Sequence, residues 1–372
     1  ERWFETALSD KIRFPGSTDE QGFGTKVTAP EMGMLTRTYT YVGPAWYQKE
    51  VVIPADWKGK RVELFLERCH WETQVWVDGT YAGMQNSFSV PHIYDLSKQL
   101  TPGSHKLAIR IDNTMKIDIG GWAHAVAEQT QTNWNGVIGR MELRATESAR
   151  IESVDIYPDF TSKVMRVRVN IGNGSVDEIK GKLNLEIIPD DKAGPALLTK
   201  TADFQAGTGK TQVDVNVPFD EKLKFWDEFT PAMYRLNAVL TINGNTGTAK
   251  SISFGLRDLR IDGSHFTING RKVFLRGNLE NCIFPVTGYP AMDVDAWLRI
   301  CRIAQSYGLN HLRFHSWCPP EEAFIAADKT GIMLQIELPH WIGWTTGNIG
   351  SDLPRTKYLM EETDRILETY GN

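Results

Sequence analysis

Between Trp46 and Asn113 apolar and polar residues alternate in short runs broken by turn chemistry, the pattern of antiparallel strands with one buried face. Trp46–Pro54 reads as a strand ended by proline, Arg61–Glu67 as the next, and Thr73–Val77 runs into Asp78-Gly79, a hairpin turn pair. Leu107–Ile111 and Gly139–Arg144 complete a region whose Gly- and Pro-marked turns predict a sandwich or jelly roll. A second all-β stretch runs from Ile151 to about Gly255. In it Val164–Ile171 alternates strictly, valines inward and arginines outward. Lys182–Ile188, Gln212–Val217, Tyr234–Ile242 and Lys250–Phe254 continue it, about seven short strands in roughly 100 residues, which fits an immunoglobulin-like sandwich. Without a cluster of acids and histidines, this stretch reads as a spacer.

After Phe254 the period changes. Lys272–Arg276, His311–Phe314 and Ile332–Ile336 are short apolar runs, and helical spacing fills the gaps between them. Asp293 caps a helix whose apolar positions Val294, Trp297, Ile300, Cys301 and Ala304 recur on one face, with Gly308 as its stop. A second helix spans Glu321 to Lys329 and ends at Gly331, and a third begins near Pro354. Strand alternating with helix means a parallel sheet, and the short repeat favours a barrel over an open sheet. No Gly-rich fingerprint follows any of the three strands, so a nucleotide-binding doubly wound sheet lacks support. A complete (β/α)8 barrel takes about 250 residues, and the alternating part of this chain is less than half of that.

Composition narrows the class. The 372 residues exceed one hydrophobic core, so two or three domains are expected, and 41% hydrophobic with 10% aromatic residues fits a folded chain. A formal charge of −5 leaves no basic excess for nucleic acid, and no apolar run reaches the length of a membrane span. Four cysteines without a C-x-x-C pair argue against a zinc site or a disulfide scaffold and for free buried thiols. The opening Glu1-Arg2-Trp3-Phe4 reads as a processed or trimmed N-terminus. The 12 Trp suit either sugar-stacking platforms or sandwich cores, and core packing accounts for most of them.

The order of these regions and several motifs resemble glycoside hydrolase family 2, which includes β-galactosidases, β-glucuronidases and β-mannosidases. Trp46-Tyr47-Gln48-Lys49, Val75-Trp76-Val77-Asp78-Gly79 and Gly136-Val137-Ile138-Gly139 resemble strand and turn motifs of its first domain. Phe254-Gly255-Leu256-Arg257, Ile268-Asn269-Gly270-Arg271-Lys272-Val273 and Leu275-Arg276-Gly277 resemble its lead-in to barrel strand one. Gly308-Leu309-Asn310-His311-Leu312-Arg313 is similar to its strand-two signature, and Gly331-Ile332 through Glu337 to its strand three. Two departures stand in the rim that contacts sugar. Asn281 and Cys282 replace a His-acid pair after strand one, and in Phe314-His315-Ser316-Trp317-Cys318-Pro319 the histidine sits one residue early.

The resemblance implies a jelly-roll sugar-binding domain over residues 1–148, an immunoglobulin-like sandwich over 149–257, and over 258–372 the first three βα units of a TIM barrel, incomplete. It also implies a retaining, exo-acting hydrolase of terminal β-linked sugars, β-galactosidase by default, with β-glucuronidase or β-mannosidase as alternatives. Such enzymes use two carboxylates about 5–5.5 Å apart. The family carries them on strands four and seven, which places both beyond residue 372 and leaves no catalytic residue within this chain. Arg313 is the residue most tied to catalysis, by orienting the nucleophile carboxylate or, structurally, as a barrel ion pair. Glu337 matches a family acidic position that binds a sugar hydroxyl or a supporting divalent cation, or else pairs with Arg276 or Arg313. His315, Trp317, His340 and Trp341 suit a sugar platform with hydrogen bonds to hydroxyls, or loop packing. Asn278 and Glu280 are weaker rim candidates. Asn133, Trp134 and Asn135, in an amide-rich loop of the first domain, either reach the substrate or satisfy a turn. Glu67, Arg68, His70, Trp71 and Glu72 raise the same question, with a buried salt bridge as the alternative. No organic cofactor and no metal ligand set is expected, since nothing resembles H-x-x-x-H. A β-linked oligo- or polysaccharide is the expected partner, a homo-oligomer a further one, and a periplasmic, cell-surface or secreted location the expected setting. The rival from another class is a carbohydrate-binding protein that kept the fold and lost the chemistry.

Overall fold

Alternation builds the first sandwich, and its strands run longer than their apolar stretches alone define. The computed structural model describes residues 2–190, 194–341, 350 and 352–371. β1 (Pro44–Ile53), β2 (Arg61–Cys69), β3 (Glu72–Val77), β4 (Thr80–Asn86), β5 (His92–Asp95), β6 (Gly103–Asp112) and β7 (Gly136–Thr146) form two four-stranded sheets. One has the order β1-β6-β3-β4. The other runs from the two-residue strand Gly16–Ser17 through β7 and β2 to β5. Asp78 and Gly79 join β3 to β4 with φ of 48° and 80°, the mirror-image turn that matches strand twist. Val62, Leu64 and Leu66 of one sheet meet Val75, Leu107 and Ile109 of the other in a single core.

The second sandwich follows directly. β8 (Ala149–Asp159), β9 (Val164–Asn173) and β12 (Gly209–Pro218) make one sheet in the order β8-β9-β12. β10 (Ile179–Pro189), β11 (Leu198–Ala206), β13 (Tyr234–Ile242) and β14 (Asn245–Phe254) make the other, ordered β11-β10-β13-β14. Met165, Val167, Val169 and Ile171 of β9 point inward and are buried, while Arg166 is exposed and Arg168 half-exposed, as the alternation predicts.

The third region departs from expectation at its start. Lys272–Arg276 is not the first parallel strand. β15 (Leu259–Asp262), β16 (His265–Ile268) and β17 (Arg271–Val273) form an antiparallel sheet, with Asn269 and Gly270 (φ 51° and 78°) turning the chain from β16 into β17. The Asn-Gly hairpin signal takes Arg271–Val273 away from the parallel sheet, and Phe274 is left 77% exposed. The first parallel strand is β18 (Gly277–Glu280). It is followed by α1 (Val294–Ser306), β19 (His311–Phe314), α2 (Glu321–Thr330), β20 (Met333–Ile336) and α3 (Leu353–Tyr370). β18-β19-β20 form a parallel sheet with Leu279, Arg313 and Gln335 in one register row.

Helix ends follow their cues. Asp293 accepts the Ala296 N–H at 2.8 Å, Asp352 accepts the Arg355 N–H at 3.1 Å, and Gly331 closes α2 with φ 81°. The face of α1 carrying Trp297, Cys301 and Ala304 is buried against Leu312, Phe314 and Ala326. Into this same core the first sandwich sends Trp71 and Phe88 together with Ile119, Ala123 and Val126 of the loop between β6 and β7. Each large side chain so buried contributes about 1.5–3 kcal/mol. All four cysteines are buried and unpaired. No helix among the described residues is long and apolar enough to cross a membrane.

Candidate active site

Register decides which strand residues face the same way. In the row Leu279-Arg313-Gln335 side chains leave the parallel sheet on the face away from the buried Leu312 and Phe314. Arg313 emerges there with its side chain 44% exposed and its Nε donating to Glu337 Oε1 at 2.5 Å. The other carboxylate oxygen, Oε2, accepts the Ser316 N–H at 2.9 Å. Glu337 thus ties the end of β20 to both the side chain and the turn that leave β19. The partner reading of Glu337 holds for Arg313. Arg276 instead donates to Gly308 O. Among the described residues the Arg313 terminal amino groups have no partner, so two N–H pairs remain for an anion.

Beside this bracket lies a residue that the sequence reading missed. His124, on the β6–β7 loop, is buried, and its backbone N–H donates to Ser316 Oγ at 2.8 Å. Its Nδ1 stands 2.9 Å from His315 O and 3.1 Å from His315 Nδ1. Burial holds its pKa below the ordinary imidazole value, against the pull of the His315 carbonyl, and the neighbouring His315 lowers it further. Trp341 closes the group, meeting His315 edge-on at 4.5 Å and His124 at 5.6 Å between ring centroids, while its backbone N–H donates to Ile119 O at 3.0 Å. His340, next to it, is half-buried. Its pKa is lowered first by burial and then by Arg355.

The remaining expected site residues fall elsewhere. Asn278 and Glu280 share rows with Leu312 and Phe314, on the face opposite Arg313. Asn278 is exposed at the sheet edge, and the Glu280 carboxyl turns under its own loop, where Oε2 accepts the Cys282 N–H at 2.9 Å. Burial pushes the Glu280 pKa up to about 7. Trp317 is buried with Phe314, Phe284 and Trp297 around it, and its Nε1 donates to Glu280 O at 3.2 Å, so neither indole face is open. Asn135 is fully buried and fully used: its Nδ2 donates to Gly43 O and Ile111 O, and its Oδ1 accepts from Tyr47 Oη. Trp134 is buried against His70 at 5.1 Å. Asn133 donates to Glu128, and its carbonyl accepts from Arg37. These three order the loop that carries His124. Of the acidic and basic group near β2, Glu67 receives Arg140, which also reaches Glu321 at 2.6 Å, and Arg68 donates to Cys318 O and Pro319 O. The salt bridge therefore spans the first sandwich and the start of α2.

Glu337 has both of its carboxylate oxygens on protein donors, Oε1 on Arg313 and Oε2 on Ser316. No group of three or more His, Cys, Asp or Glu side chains with metal-holding geometry occurs among the described residues.

Two family models match the chain: the sugar-binding domain of glycosyl hydrolases family 2 over residues 1–140, and a second domain of glycosyl hydrolases family 2 over residues 149–257. A β-glucuronidase of Paenibacillus borealis is 20% identical over 98% of this chain and 59% of its own length. A β-galactosidase of Thermoanaerobacter pseudethanolicus is 22% identical over 84% of this chain and 42% of its own. The crystal structure of a Bacteroides uniformis β-glucuronidase has the same fold over 97% of this chain and 42% of its own, with a TM-score of 0.77 at 19% identity. The chain therefore spans little more than half the length of the longest-matched of these relatives. With both matched domains in their family order and the fold shared across nearly all of its length, the chain belongs to glycoside hydrolase family 2.

Proposed function

We propose that the chain is the N-terminal portion of a retaining, exo-acting glycoside hydrolase that removes a terminal β-linked sugar. In this reading residues 1–148 are the jelly roll, 149–257 the immunoglobulin-like sandwich, and 258–372 the first three βα units of a TIM barrel. The observation that carries it is the Arg313–Glu337–Ser316 bracket at the C-terminal edge of the parallel sheet, the edge on which such barrels build their sites. Arg313 keeps its two terminal amino groups for the nucleophile carboxylate, supplied from beyond residue 372, and holds it ionised and oriented. That carboxylate attacks the anomeric carbon as the acid/base carboxyl gives its proton to the leaving oxygen. Water, deprotonated by the same group, then releases the sugar with its configuration kept. Glu337 holds Arg313 in place, and His315 and Trp341 form the wall that the sugar meets.

Relatives named β-glucuronidase and β-galactosidase support the two sugars alike, so a β-glucuronide stands beside the β-galactoside default. The test is the full-length protein on aryl β-galactoside, β-glucuronide and β-mannoside. Residues 1–372 alone are expected to hydrolyse none of them. Arg313→Ala in the full-length protein is expected to lower kcat by about a hundredfold or more with little change in thermal midpoint. Retained turnover with a large loss of stability would leave Arg313 as a structural ion pair. No turnover of any glycoside by the full-length wild type would favour a carbohydrate-binding protein instead.

A further inference from the structure

We propose that His124 is a positioning residue: through its Nδ1–H it fixes His315 as the Nε2–H tautomer, so that His315 offers a hydrogen-bond donor to a sugar oxygen. His315 O is a carbonyl and can only accept, so His124 Nδ1, 2.9 Å away, carries the hydrogen. The same nitrogen stands 3.1 Å from His315 Nδ1. Two N–H groups cannot face each other at that distance, so His315 Nδ1 is bare and the hydrogen of its neutral ring sits on Nε2.

The rest of the geometry holds this arrangement rather than the reverse. His124 is buried, with its backbone N–H fixed on Ser316 Oγ, and Ser316 Oγ in turn donates to His315 O at 2.7 Å. Trp341 packs edge-on to the His315 ring at 74°, with 4.5 Å between centroids. His315 is only half-buried, and among the described residues its Nε2 has no hydrogen-bond partner. Nδ1 points at the first-sandwich loop. Nε2, across the ring, points away from that loop, and Arg313, two residues earlier at the end of β19, has terminal amino groups without a partner among the described residues. A positioned donor close in sequence to the open amino groups of a guanidinium already anchored on Glu337 suits a hydroxyl or carboxylate oxygen of a bound sugar. The first sandwich thereby enters the site through one hydrogen on one ring nitrogen. Its sugar-oxygen half rests on the hydrolase reading above, whereas its tautomer half does not.

The two halves are tested separately. Long-range 15N–1H correlation spectra of the 372-residue chain, labelled at histidine, are expected to show His124 as the Nδ1–H tautomer and His315 as Nε2–H, assigned with His124→Gln and His315→Gln. His124 found as Nε2–H, or His315 as Nδ1–H, overturns the proposal whatever the enzyme does. In the full-length protein, with p-nitrophenyl β-glucuronide and β-galactoside as probes, His124→Phe is expected to raise KM about tenfold with kcat within about threefold of wild type. His124→Asn, whose amide nitrogen replaces the Nδ1 donor, is expected to restore KM. His315→Phe is expected to match His124→Phe, and the double variant to add nothing, because the two rings act as one unit. Additive losses, or an unchanged KM in His124→Phe, would overturn the sugar contact. Absence of turnover in the wild type would overturn the hydrolase reading and this contact together, with the tautomers still decided by the spectra.

Discussion

Glu280 shows how a carboxyl behaves when burial is not offset by a cation. Among the described residues no Lys, Arg or His pairs with it. It accepts N–H groups of its own loop, and its pKa rises to about 7 from 4.5. Between those two values the folded chain holds a proton that the unfolded chain has released, so stability falls as pH rises through this window. The full cost above pH 7 is up to about 3 kcal/mol. Glu280→Gln keeps an acceptor for Cys282 and never ionises. Its thermal midpoint is expected to match wild type near pH 5 and exceed it near pH 8. A difference independent of pH would show that ionisation of Glu280 is not what limits stability. A position that costs stability at neutral pH yet sits at a strand end is the kind that function retains, so activity of Glu280→Gln in the full-length protein belongs in the same experiment.

At the scale of the element, α3 is tied to the first sandwich by one buried carboxylate as well as by its apolar stripe. Glu362 is fully buried, and its Oε2 accepts from Ser87 Oγ at 3.0 Å and Ser89 Oγ at 2.8 Å, both on the β4–β5 loop. Its Oε1 accepts from Arg365 at 2.6 Å, and Arg365 also donates to Asn86 O. Glu362→Ala leaves two buried hydroxyls without their acceptor and takes from Arg365 one of its two carboxylate partners, the other being Glu361, which is expected to cost about 2–4 kcal/mol in urea unfolding. Glu362→Gln, which still accepts from both serines, is expected to lose about 1–2 kcal/mol. Equal losses would mean that α3 is held by packing alone. Elements of this kind divide what a sequence can tell. The strict alternation of Val164–Ile171, the Asp293 cap and Gly331 each act within a few residues, and each appears where the pattern puts it. Lys272–Arg276 misleads because its apolar period suits an antiparallel hairpin as well as a parallel strand, and only Asn269-Gly270 separates the two. Arg313 and Glu337 carry a strand-end signal and do meet, 24 residues apart. His124 carries none. Its partner lies 191 residues away, and a single histidine amid Ala123, Ala125 and Val126 reads as loop packing until the fold brings the two rings together.

At the scale of the molecule, the three parts are unequal in independence. The second sandwich buries its own core, from Ile151 to Leu256, and among the buried residues of that core none belongs to another part of the chain. Its main outward anchors are Trp226, which joins Ile268 and Val273 and donates to Asp328 O at 2.8 Å, and Glu228, which receives Arg271. The first sandwich shares instead. Trp71, Phe88, Ile119 and Val126 share one buried core with Trp297, Trp317 and Tyr358, and the Arg68 and Glu362 bridges cross the same seam. Residues 149–257 expressed alone are therefore expected to unfold cooperatively in urea. Residues 1–148 alone retain the core between their two sheets but expose a contiguous apolar face, and are expected to bind a hydrophobic dye and self-associate. Dye binding should vanish in the 372-residue chain. A monomeric 1–148 fragment that binds no dye would mean that the seam is not what holds the first sandwich to the parallel sheet. Because His124 reaches His315 across that seam, weakening it at Trp71 or Glu362 should also disturb the His124 tautomer signal before it unfolds either sandwich. Stability of the seam and geometry of the site are then one quantity read in two ways.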